Sequence, residues 1–429
     1  MIEVLLLLIG ARVIRTKWWI IGLIGLAWLT MGGLILINAL SDDKRIPPVW
    51  FTVPLLLDAG ASLIAGFTGT GTRRALRFSK AGILVAISLL IILRPWGSDM
   101  LVGFLVGTFL VADASFRAAS AWVVRFPRWR GSLVAAGIEF LLGLWSFLPW
   151  PTGWQGEVGE DVGTLMIVTA YGLLVTARRL RRLPENMPIA RILSDGWPRG
   201  GTAARAPGQL PGDPAYGTVT VHVWTPTGNL VGLGHGIARY VAALDEHGVV
   251  STGHAALEAG PDIYISHYPA VEIDRDGSQF TRILRATREN DVPGKFQPSY
   301  TYESAEWCPS SWRVELAGLD VEALRAFWAN YRQETTYNLT NRNCSSSVAK
   351  ALDAAVEGLF AEEVRSPWFL TRLLMLPEFW AAGVIRRRAE LMAWTPGLVL
   401  DYARALSAII ELPERMGRGI RRAEAQQAA

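Results

Sequence analysis

Apolar residues dominate the first 180 positions of the chain, where they form long runs separated by short polar junctions. Trp18–Leu40 is the clearest run, with 23 residues and no charged side chain. A helix of that length rises about 34 Å, which is enough to cross a hydrocarbon core about 30 Å thick. Five further candidate spans lie at 49–67, 78–93, 100–124, 131–151 and 163–177. The pattern predicts an all-α membrane bundle of about six spans over residues 1–180.

A weak internal repeat indicates how these spans pair. The segment "LLLDAGASLIAG" around Asp58 resembles "LVADASFRAASAW" around Asp113, 55 residues further on, which three packed helical hairpins would explain. Charges inside the spans need an explanation, because a charged group in hydrocarbon is costly. For Asp58, Asp113, Arg117 and Glu139 we favour polar packing between helices, with a proton or solute path as the alternative.

Basic residues are concentrated in the junctions on the N-terminal side of the predicted bundle. They are Arg12, Arg15, Lys17, Arg73, Arg74, Arg77, Lys80, Arg125, Arg128, Arg130, Arg178, Arg179, Arg181 and Arg182. The junctions on the opposite side carry few basic residues and several acids. The positive-inside rule therefore predicts a multi-pass protein of the bacterial inner (plasma) membrane, with both termini in the cytoplasm.

Beyond residue 180 the pattern changes to short alternating strands and amphipathic helices. Residues 181–217 are rich in proline and glycine and predict a linker. "TVTVHVWTP" alternates as a half-buried strand does, and "GVVSTGHAALEA" and "DIYISHYPAVEI" predict two more strands. "DVEALRAFWANYRQ" and "CSSSVAKALDAAVEGLF" have helical periodicity, so we expect an α+β domain over 218–360. Residues 361–429 predict an amphipathic helical tail on the membrane surface or on this domain.

Composition narrows the classes of function. Hydrophobic residues make up 51% and charged residues 19%, which is typical of an integral membrane protein with a polar domain attached. The net charge of +4 comes from arginine-rich junctions beside apolar runs, which indicates contact with lipid headgroups rather than nucleic acid. The two cysteines exclude a disulfide scaffold and a cysteine-based zinc site, and the histidines lack metal-ligand spacing. We therefore expect no metal and no cofactor.

The candidate chemistry lies in the α+β region. Cys344 opens a predicted helix, where the helix dipole and free backbone N–H groups lower the pKa of a thiol. His254 and His267 lie on neighbouring predicted strands, so that one imidazole can take the thiol proton while the other orients it. Each residue also has an ordinary structural explanation, because free cysteines and strand histidines are often buried packing residues. Cys308 precedes a proline and is the weaker candidate nucleophile.

Two resemblances to known families follow from these motifs. A histidine, a polar residue about a dozen positions later, and then "NC" at a helix start together resemble the circularly permuted NlpC-like papain superfamily, which includes lecithin:retinol acyltransferase-like proteins. That resemblance covers 218–360 and implies Cys344 as nucleophile, His254 as base and His267 as the third polar residue. Separately, "LRPWGSDMLVGFLVGTFLVADASFRAASAW" makes the first 180 residues resemble the HdeD membrane family, which implies a link to acid tolerance.

Together these features predict a membrane-anchored cysteine hydrolase or acyltransferase, peptidase- or amidase-like, that works through a covalent acyl-enzyme. The expected partners are the lipid bilayer, an amide, ester or thioester substrate, and further copies of the chain. The alternative hypothesis is a non-catalytic, stress-related membrane protein whose α+β domain is a binding module.

Overall fold

The structure is a computed structural model, and the chain in it divides into two compact units. The described residues are 1–41, 71–93, 98–126, 129–151, 156–184, 187–195, 215–225, 253–271 and 284–415, with a few shorter stretches. The helical unit comprises Ile14–Trp122 and Arg128–Leu183. The sheet unit comprises Met1–Val13, Val123–Pro127 and Pro184–Ala429, so it is assembled from three separate pieces of chain.

Long helices form the helical unit. Helix α1 (Ile2–Ile9), which belongs to the sheet unit, and helix α2 (Ala11–Thr16) begin the chain. They are followed by α3 (Trp18–Leu40), α4 (Gly71–Leu93), α5 (Ser98–Val124), α6 (Trp129–Trp145) and α7 (Glu157–Arg181). Helices α3 and α7 pack along each other through small residues. A Cβ atom on Gly32 of α3 would lie 2.9 Å from the carbonyl oxygen of Gly163 of α7. Glycine therefore sets the close approach of these two backbones, as it does between membrane helices.

In the described part of the chain, three helices are long and apolar enough to cross a membrane. They are Trp18–Leu40, Gly103–Val124 and Glu157–Arg181, and most of their side chains are not buried by the protein. This finding agrees with a membrane protein, but within the described residues it does not support all six of the predicted spans. The apolar helix Phe78–Leu93 and the 17-residue helix α6 are shorter than the roughly 20 residues that a bilayer core requires. The predicted span at 49–67 lies largely outside the described residues.

The charges predicted inside the membrane bundle compensate one another. Arg117 on α5 forms ion pairs with Asp113, one turn earlier, and with Glu139 on α6, each at 2.9 Å. A charge in hydrocarbon is tolerated when it is paired in this way, so the arrangement favours polar packing between helices. Asp58 lies outside the described residues.

The sheet unit mixes helices and strands. Its elements are α8 (Ile189–Asp195), β1 (Tyr216–Trp224), β2 (Ala243–Leu244), β3 (Val250–Ser251), β4 (His254–Ala259), β5 (Ile263–Ile265), β6 (His267–Pro269), β7 (Val292–Phe296), α9 (Tyr300–Glu306), β8 (Trp312–Asp320), α10 (Val321–Tyr331), β9 (Thr336–Tyr337), α11 (Cys344–Val356), α12 (Pro367–Met375), α13 (Pro377–Leu391), α14 (Pro396–Ile410) and α15 (Leu412–Arg415). The predicted order of a helical region followed by a region of helices and strands is confirmed.

The described strands form three antiparallel sheets. The first has the strand order β5-β4-β1-β8, the second has the order β6-β7-β9, and β2 and β3 form a separate pair. Helix α14 packs on β1, β4 and β8, and α11 packs on β4 and β8. Successive residues of the central strand, such as Val221 and His222, are both fully buried. The alternation in β1 therefore marks a strand buried on both faces, rather than one with a solvated face.

The C-terminal helices belong to the core of the sheet unit. Arg386 of α13 is buried and forms an ion pair at 2.7 Å with Asp353 of α11, which also accepts a hydrogen bond at 2.7 Å from Tyr402 of α14. Breaking such a buried pair costs about 3–5 kcal/mol, because one charge would be left without a partner. The compact unit thus extends well beyond the predicted domain at 218–360.

Glu357, directly after α11, connects the pieces of the sheet unit. Its half-buried side chain accepts hydrogen bonds from the backbone N–H groups of Ala11, Ile189 and Ala190, at 3.3, 2.8 and 2.9 Å. These donors lie in the first turns of α2 and α8, where a helix leaves N–H groups without an internal acceptor. One side chain therefore stabilises the chain on either side of the helical unit.

We expect replacement of Glu357 by alanine to lower the free energy of unfolding by about 3 kcal/mol. The physical reason is that each buried donor without an acceptor costs about 1–3 kcal/mol. Thermal unfolding of the detergent-solubilised chain measures the effect. Glu362→Ala is the matched control, because Glu362 is exposed and surface substitutions change stability by about 0.5 kcal/mol or less. Equal midpoints for the two variants would show that Glu357 has no such role.

Candidate active site

Cys344 lies in the first turn of α11 because the residues around it fix where the helix starts. Asn343 is the N-cap: its side-chain oxygen accepts a hydrogen bond from the Ser346 N–H at 2.7 Å, and its own N–H donates to the Ser346 hydroxyl at 2.8 Å. This capping box satisfies donors that the first turn leaves free. The Asn343 amide also donates to the carbonyl oxygens of Leu339 and Trp394, at 2.7 and 3.0 Å. The backbone position of the thiol is therefore fixed from several directions.

The buried thiol of Cys344 lies beside His254, the first residue of β4. The two side chains interact electrostatically, and each shifts the pKa of the other. The Ser345 hydroxyl lies 3.7 Å from the sulfur. Strand β4 pairs with β1 through His254 opposite Trp224, so the imidazole is held at the end of a paired strand. The structure thus brings together the two residues that the sequence put forward as nucleophile and base.

Glu303 extends this chain of polar groups behind the histidine. His254 Nε2 lies 3.2 Å from Glu303 Oε1 and 2.9 Å from Ser266 Oγ. Glu303 is buried and accepts a hydrogen bond from the hydroxyl of Tyr264, and Tyr268 also favours its charged form. Because two oxygens already surround Nε2, we infer that Nδ1 is the ring nitrogen that faces the thiol.

The three ionisable groups stabilise one another's charges against the effect of burial. Burial raises the pKa of the Cys344 thiol, but the positive charge and hydrogen bond of His254 outweigh it and bring the pKa below its ordinary value. Burial disfavours the charged form of His254, yet the Cys344 thiolate and Glu303 raise its pKa to about 9. Burial also opposes charge on Glu303, but His254 and the two tyrosines lower its pKa to about 2. The set therefore favours thiolate, imidazolium and carboxylate at neutral pH.

His267 lies outside this chain of polar groups. The backbone leaves the first sheet after β5, and β6 pairs with β7, so His267 lies opposite Phe296 in the second sheet. Its Nδ1 lies 3.1 Å from the Tyr331 hydroxyl, and its Nε2 lies 3.3 Å from the carbonyl oxygen of Thr335. Burial lowers the pKa of His267 to about 4, so the ring is neutral at pH 7. The change of sheet explains why this residue does not orient His254, although only β5 separates their strands in the sequence.

Aromatic side chains surround the candidate base. Tyr268 stacks on His254 with ring centroids 4.1 Å apart, and Trp224 lies 5.4 Å away. Trp307 stacks on Trp224 and is 51% exposed, so it gives the site an apolar border open to solvent. Sites for organic substrates usually combine such apolar walls with a few fixed polar groups. Cys308, the weaker candidate nucleophile, has an exposed thiol.

The remaining histidines have other surroundings. His222 is buried in β1, with Nδ1 3.2 Å from the Ser310 hydroxyl and its ring stacked on Tyr300. His235 and His247 lie outside the described residues. Within the described ranges, no group of three or more histidine, cysteine, aspartate or glutamate side chains could hold a metal ion.

Sequence reasoning missed Glu303, although one local signal was present. Ser299 is the N-cap of α9, and its hydroxyl accepts a hydrogen bond from the Tyr302 N–H at 3.1 Å. Such a cap pattern predicts a short helix with Glu303 in its first turn. It does not predict which side chain the carboxylate meets, because α9 and His254 are far apart in the sequence and only the folded sheet unit brings them together.

Comparison with known proteins gives one match. Residues 267–423 are similar to the IcsB middle domain. The match spans just over a third of the chain and includes Glu303, Cys344 and the helices that follow, but it begins after His254. No curated protein and no solved structure matches the chain. The similarity is therefore confined to the sheet unit.

We expect Glu303→Gln to reduce the reactivity of Cys344 near pH 6. Glu303 raises the pKa of His254, so its neutralisation lowers that pKa, weakens the imidazolium and raises the pKa of the thiol. One pKa unit corresponds to about a tenfold loss of thiolate at a fixed pH below the thiol pKa. The rate of Cys344 alkylation by iodoacetamide against pH, in a Cys308→Ser background, measures the effect.

Glu306→Gln is the matched control, because Glu306 is an exposed carboxylate on the same short helix. Its pH profile should coincide with that of the unsubstituted chain. The same profile for Glu303→Gln, with the fold intact, would contradict a role of Glu303 in holding the ion pair.

Proposed function

We propose that the protein is a membrane-anchored cysteine hydrolase or acyltransferase that acts on an amide, ester or thioester. The observation that carries this proposal is the series of neighbouring polar groups from the Cys344 thiol through the His254 imidazole to the Glu303 carboxylate. A nucleophile, a base and a group that orients the base are the parts that thiol acyl transfer requires. Structural cysteines need neither the lowered thiol pKa nor the paired imidazole.

In the proposed first half-reaction, the Cys344 thiolate attacks the carbonyl carbon and a C–S bond forms. The carbonyl oxygen takes the electron pair. The resulting tetrahedral oxyanion collapses, the bond to the leaving group breaks, and the His254 imidazolium gives its proton to that group. The product is a thioester on Cys344 and a neutral imidazole, whose orientation Glu303 maintains.

In the second half-reaction, His254 takes a proton from water or from an acceptor hydroxyl or amine as that group attacks the thioester. The C–S bond breaks, and the thiolate and imidazolium are restored. Helix geometry leaves the first N–H groups of α11 without an internal acceptor, and the Cys344 N–H is suited to stabilise the oxyanion. Water as acceptor makes the protein a hydrolase, and an amine or hydroxyl makes it a transferase.

The way the chain returns to the sheet unit supports the proposed membrane topology. A folded unit stays on one side of a bilayer, so a segment that leaves it and returns crosses an even number of times. The segment Arg128–Leu183 leaves and returns, and it contains the span Glu157–Arg181. It therefore needs a second crossing, for which α6 is the described helix. Arg130 in its first turn, with an aliphatic stem that reaches the headgroups, suits a short span.

The same argument applies to Ile14–Trp122, which contains the spans Trp18–Leu40 and Gly103–Val124. These two spans already make an even number of crossings, so the segment contains either no further crossing or two more. We infer four or six crossings in total, with the sheet unit and both termini on one side. The arginine-rich ends of the helices assign that side to the cytoplasm of a bacterial inner membrane. A role in acid or envelope stress rests on the resemblance of residues 1–180 to the HdeD family.

The first test is labelling of the detergent-solubilised chain with an alkyne-bearing iodoacetamide across pH, in the Cys308→Ser background that removes the exposed thiol. We expect labelling to persist below the pKa of about 8.5 of a free thiol. It should vanish in Cys344→Ala and fall by about 100-fold or more in His254→Ala, the usual scale of acid–base assistance. His267→Gln, a residue outside the polar chain, serves as the comparison and should retain most of the labelling rate.

Slow labelling that is indifferent to His254 would contradict the enzyme proposal. It would favour the alternative, a stress-related membrane protein with a non-catalytic binding module. In that case Cys344→Ala would leave the cellular phenotype intact.

The topology is tested separately with reporter domains inserted after Ser41, after Pro151 and after Ala429. We expect the reporter after Pro151 to lie on the opposite side of the membrane from the one after Ala429, because α6 and α7 each cross once. The reporter after Ser41 should also lie on the opposite side. Finding the Pro151 reporter on the same side as the C-terminal one would contradict the crossing by α6.

A further inference from the structure

Helices α12 and α13 carry an apolar outer face that the rest of the sheet unit does not cover. The two helices meet at an angle of 65°. Their inner face is fully buried in the core through Phe369, Leu373 and Phe379. The outer face exposes Trp368, Leu374, Met375, Trp380 and Val384, each between 37% and 64% accessible. Because the inner face is part of the folded core, this pair cannot also cross a bilayer as a broken span.

The outer face combines tryptophan with arginine. The Arg372 guanidinium lies 4.9 Å from the ring centre of Trp368. Arg387 and Arg388, on the last turns of α13, are exposed. Tryptophans at headgroup level with arginines beside them are typical of helices that lie in a membrane interface, and the arginines favour anionic lipids.

The start of the chain connects α13 to a predicted membrane entry point through one short helix and a short connection. Met1 packs on α13 so tightly that a Cβ atom on Gly383 would lie 2.5 Å from the Met1 nitrogen. Met1 and Ile2 are each 38% exposed. Helix α1 ends at Ile9 and the span begins at Trp18, so the connection is at most about 30 Å even if fully extended.

We propose that the outer face of α12 and α13 docks on the anionic surface of the bilayer that α3 enters. The proposal rests on membrane insertion of the helical unit, but not on chemistry at Cys344. In this arrangement the sheet unit contacts the membrane through its own helices as well as through the chain ends. The expected depth of the apolar side chains is about 5–10 Å into the headgroup and acyl boundary.

The test uses the full chain in nanodiscs that hold one copy each, with a single nitroxide label. Cys308→Ser and Cys344→Ala remove the native thiols, and Val384→Cys supplies the labelling site. Gln333→Cys, in the exposed turn that follows α10, supplies the control site. Collision of the label with oxygen and with a water-soluble nickel chelate, measured by electron paramagnetic resonance, reports its depth.

We expect a severalfold higher ratio of oxygen to nickel accessibility at position 384 than at 333 in nanodiscs that contain phosphatidylglycerol. Purely zwitterionic lipid should reduce the ratio, because it removes the attraction for the arginines. Trp380→Ser should also reduce it, whereas Trp312→Ser, which removes an equally exposed tryptophan elsewhere in the unit, should not. These shifts are independent of thiol chemistry, so failure of the enzyme proposal would leave them unchanged.

Equal ratios at 384 and 333 in single-copy nanodiscs would overturn the proposal. If position 384 then became protected only at higher copy number, a second chain would be the occupant of this face. Protection only after addition of cell extract would indicate another protein in place of lipid.

Discussion

The hydrogen bonds at the two ends of α11 are the constraint on which the rest of the structure depends. At the N-terminal end, the capping box of Asn343 fixes the turn that carries Cys344. At the C-terminal end, the Glu357 carboxylate binds the first turns of α2 and α8. A rigid helix of 13 residues thus connects the candidate nucleophile to the chain on both sides of the helical unit. A change in the hydrogen bonds of Glu357 to those two turns would therefore affect the helix that positions the Cys344 thiol.

Buried charge is managed by the same rule throughout the molecule. Glu303 is acceptable inside the sheet unit because two tyrosine hydroxyls and an imidazole surround it. Arg386 is acceptable because Asp353 neutralises it, and Arg117 because it lies between two carboxylates. In each case a low dielectric makes the partners' attraction strong and makes an unpaired charge costly. In the candidate site the same attraction favours the charged forms of Cys344 and His254, and the thiolate is the more reactive form of cysteine.

The division of the chain into two units also bears on how a membrane protein can carry a thiol site. The segment Met1–Val13 and the segment Val123–Pro127 both belong to the sheet unit. In the second, the Ala286 N–H donates to the Val124 carbonyl oxygen at 2.6 Å. A domain attached to the membrane helices only by a flexible linker would not include such segments from the N-terminal part of the chain. The described contacts instead make these short segments part of the sheet unit itself, and helices α12 to α14 complete its core.

Much of the architecture could be predicted from local pattern, since apolar run length and strand alternation are properties of neighbouring residues. Trp18–Leu40 is recognisable as a span because no residue in it is charged, and the start of α11 is recognisable because asparagine precedes a helical stripe. The number of spans was harder to predict, because Phe78–Leu93 and α6 are apolar but short. Whether these two helices cross the membrane depends on where the chain rejoins the sheet unit, and the local sequence pattern does not show this.

The sequence by itself therefore determined the membrane-like first half, the mixed α+β second half, and the pairing of a helix-start cysteine with a strand histidine as the residues worth testing. Only the tertiary structure decided which polar group stands behind that histidine. His267 follows soon after His254 in sequence, but the backbone changes sheet before it and carries it to Tyr331. Glu303 is distant in sequence, yet the packing of α9 brings its carboxylate to His254. The physical reason is that periodicity assigns a residue to an element and a face, whereas sheet exchange and helix docking, which are set by long-range contacts, decide which faces meet.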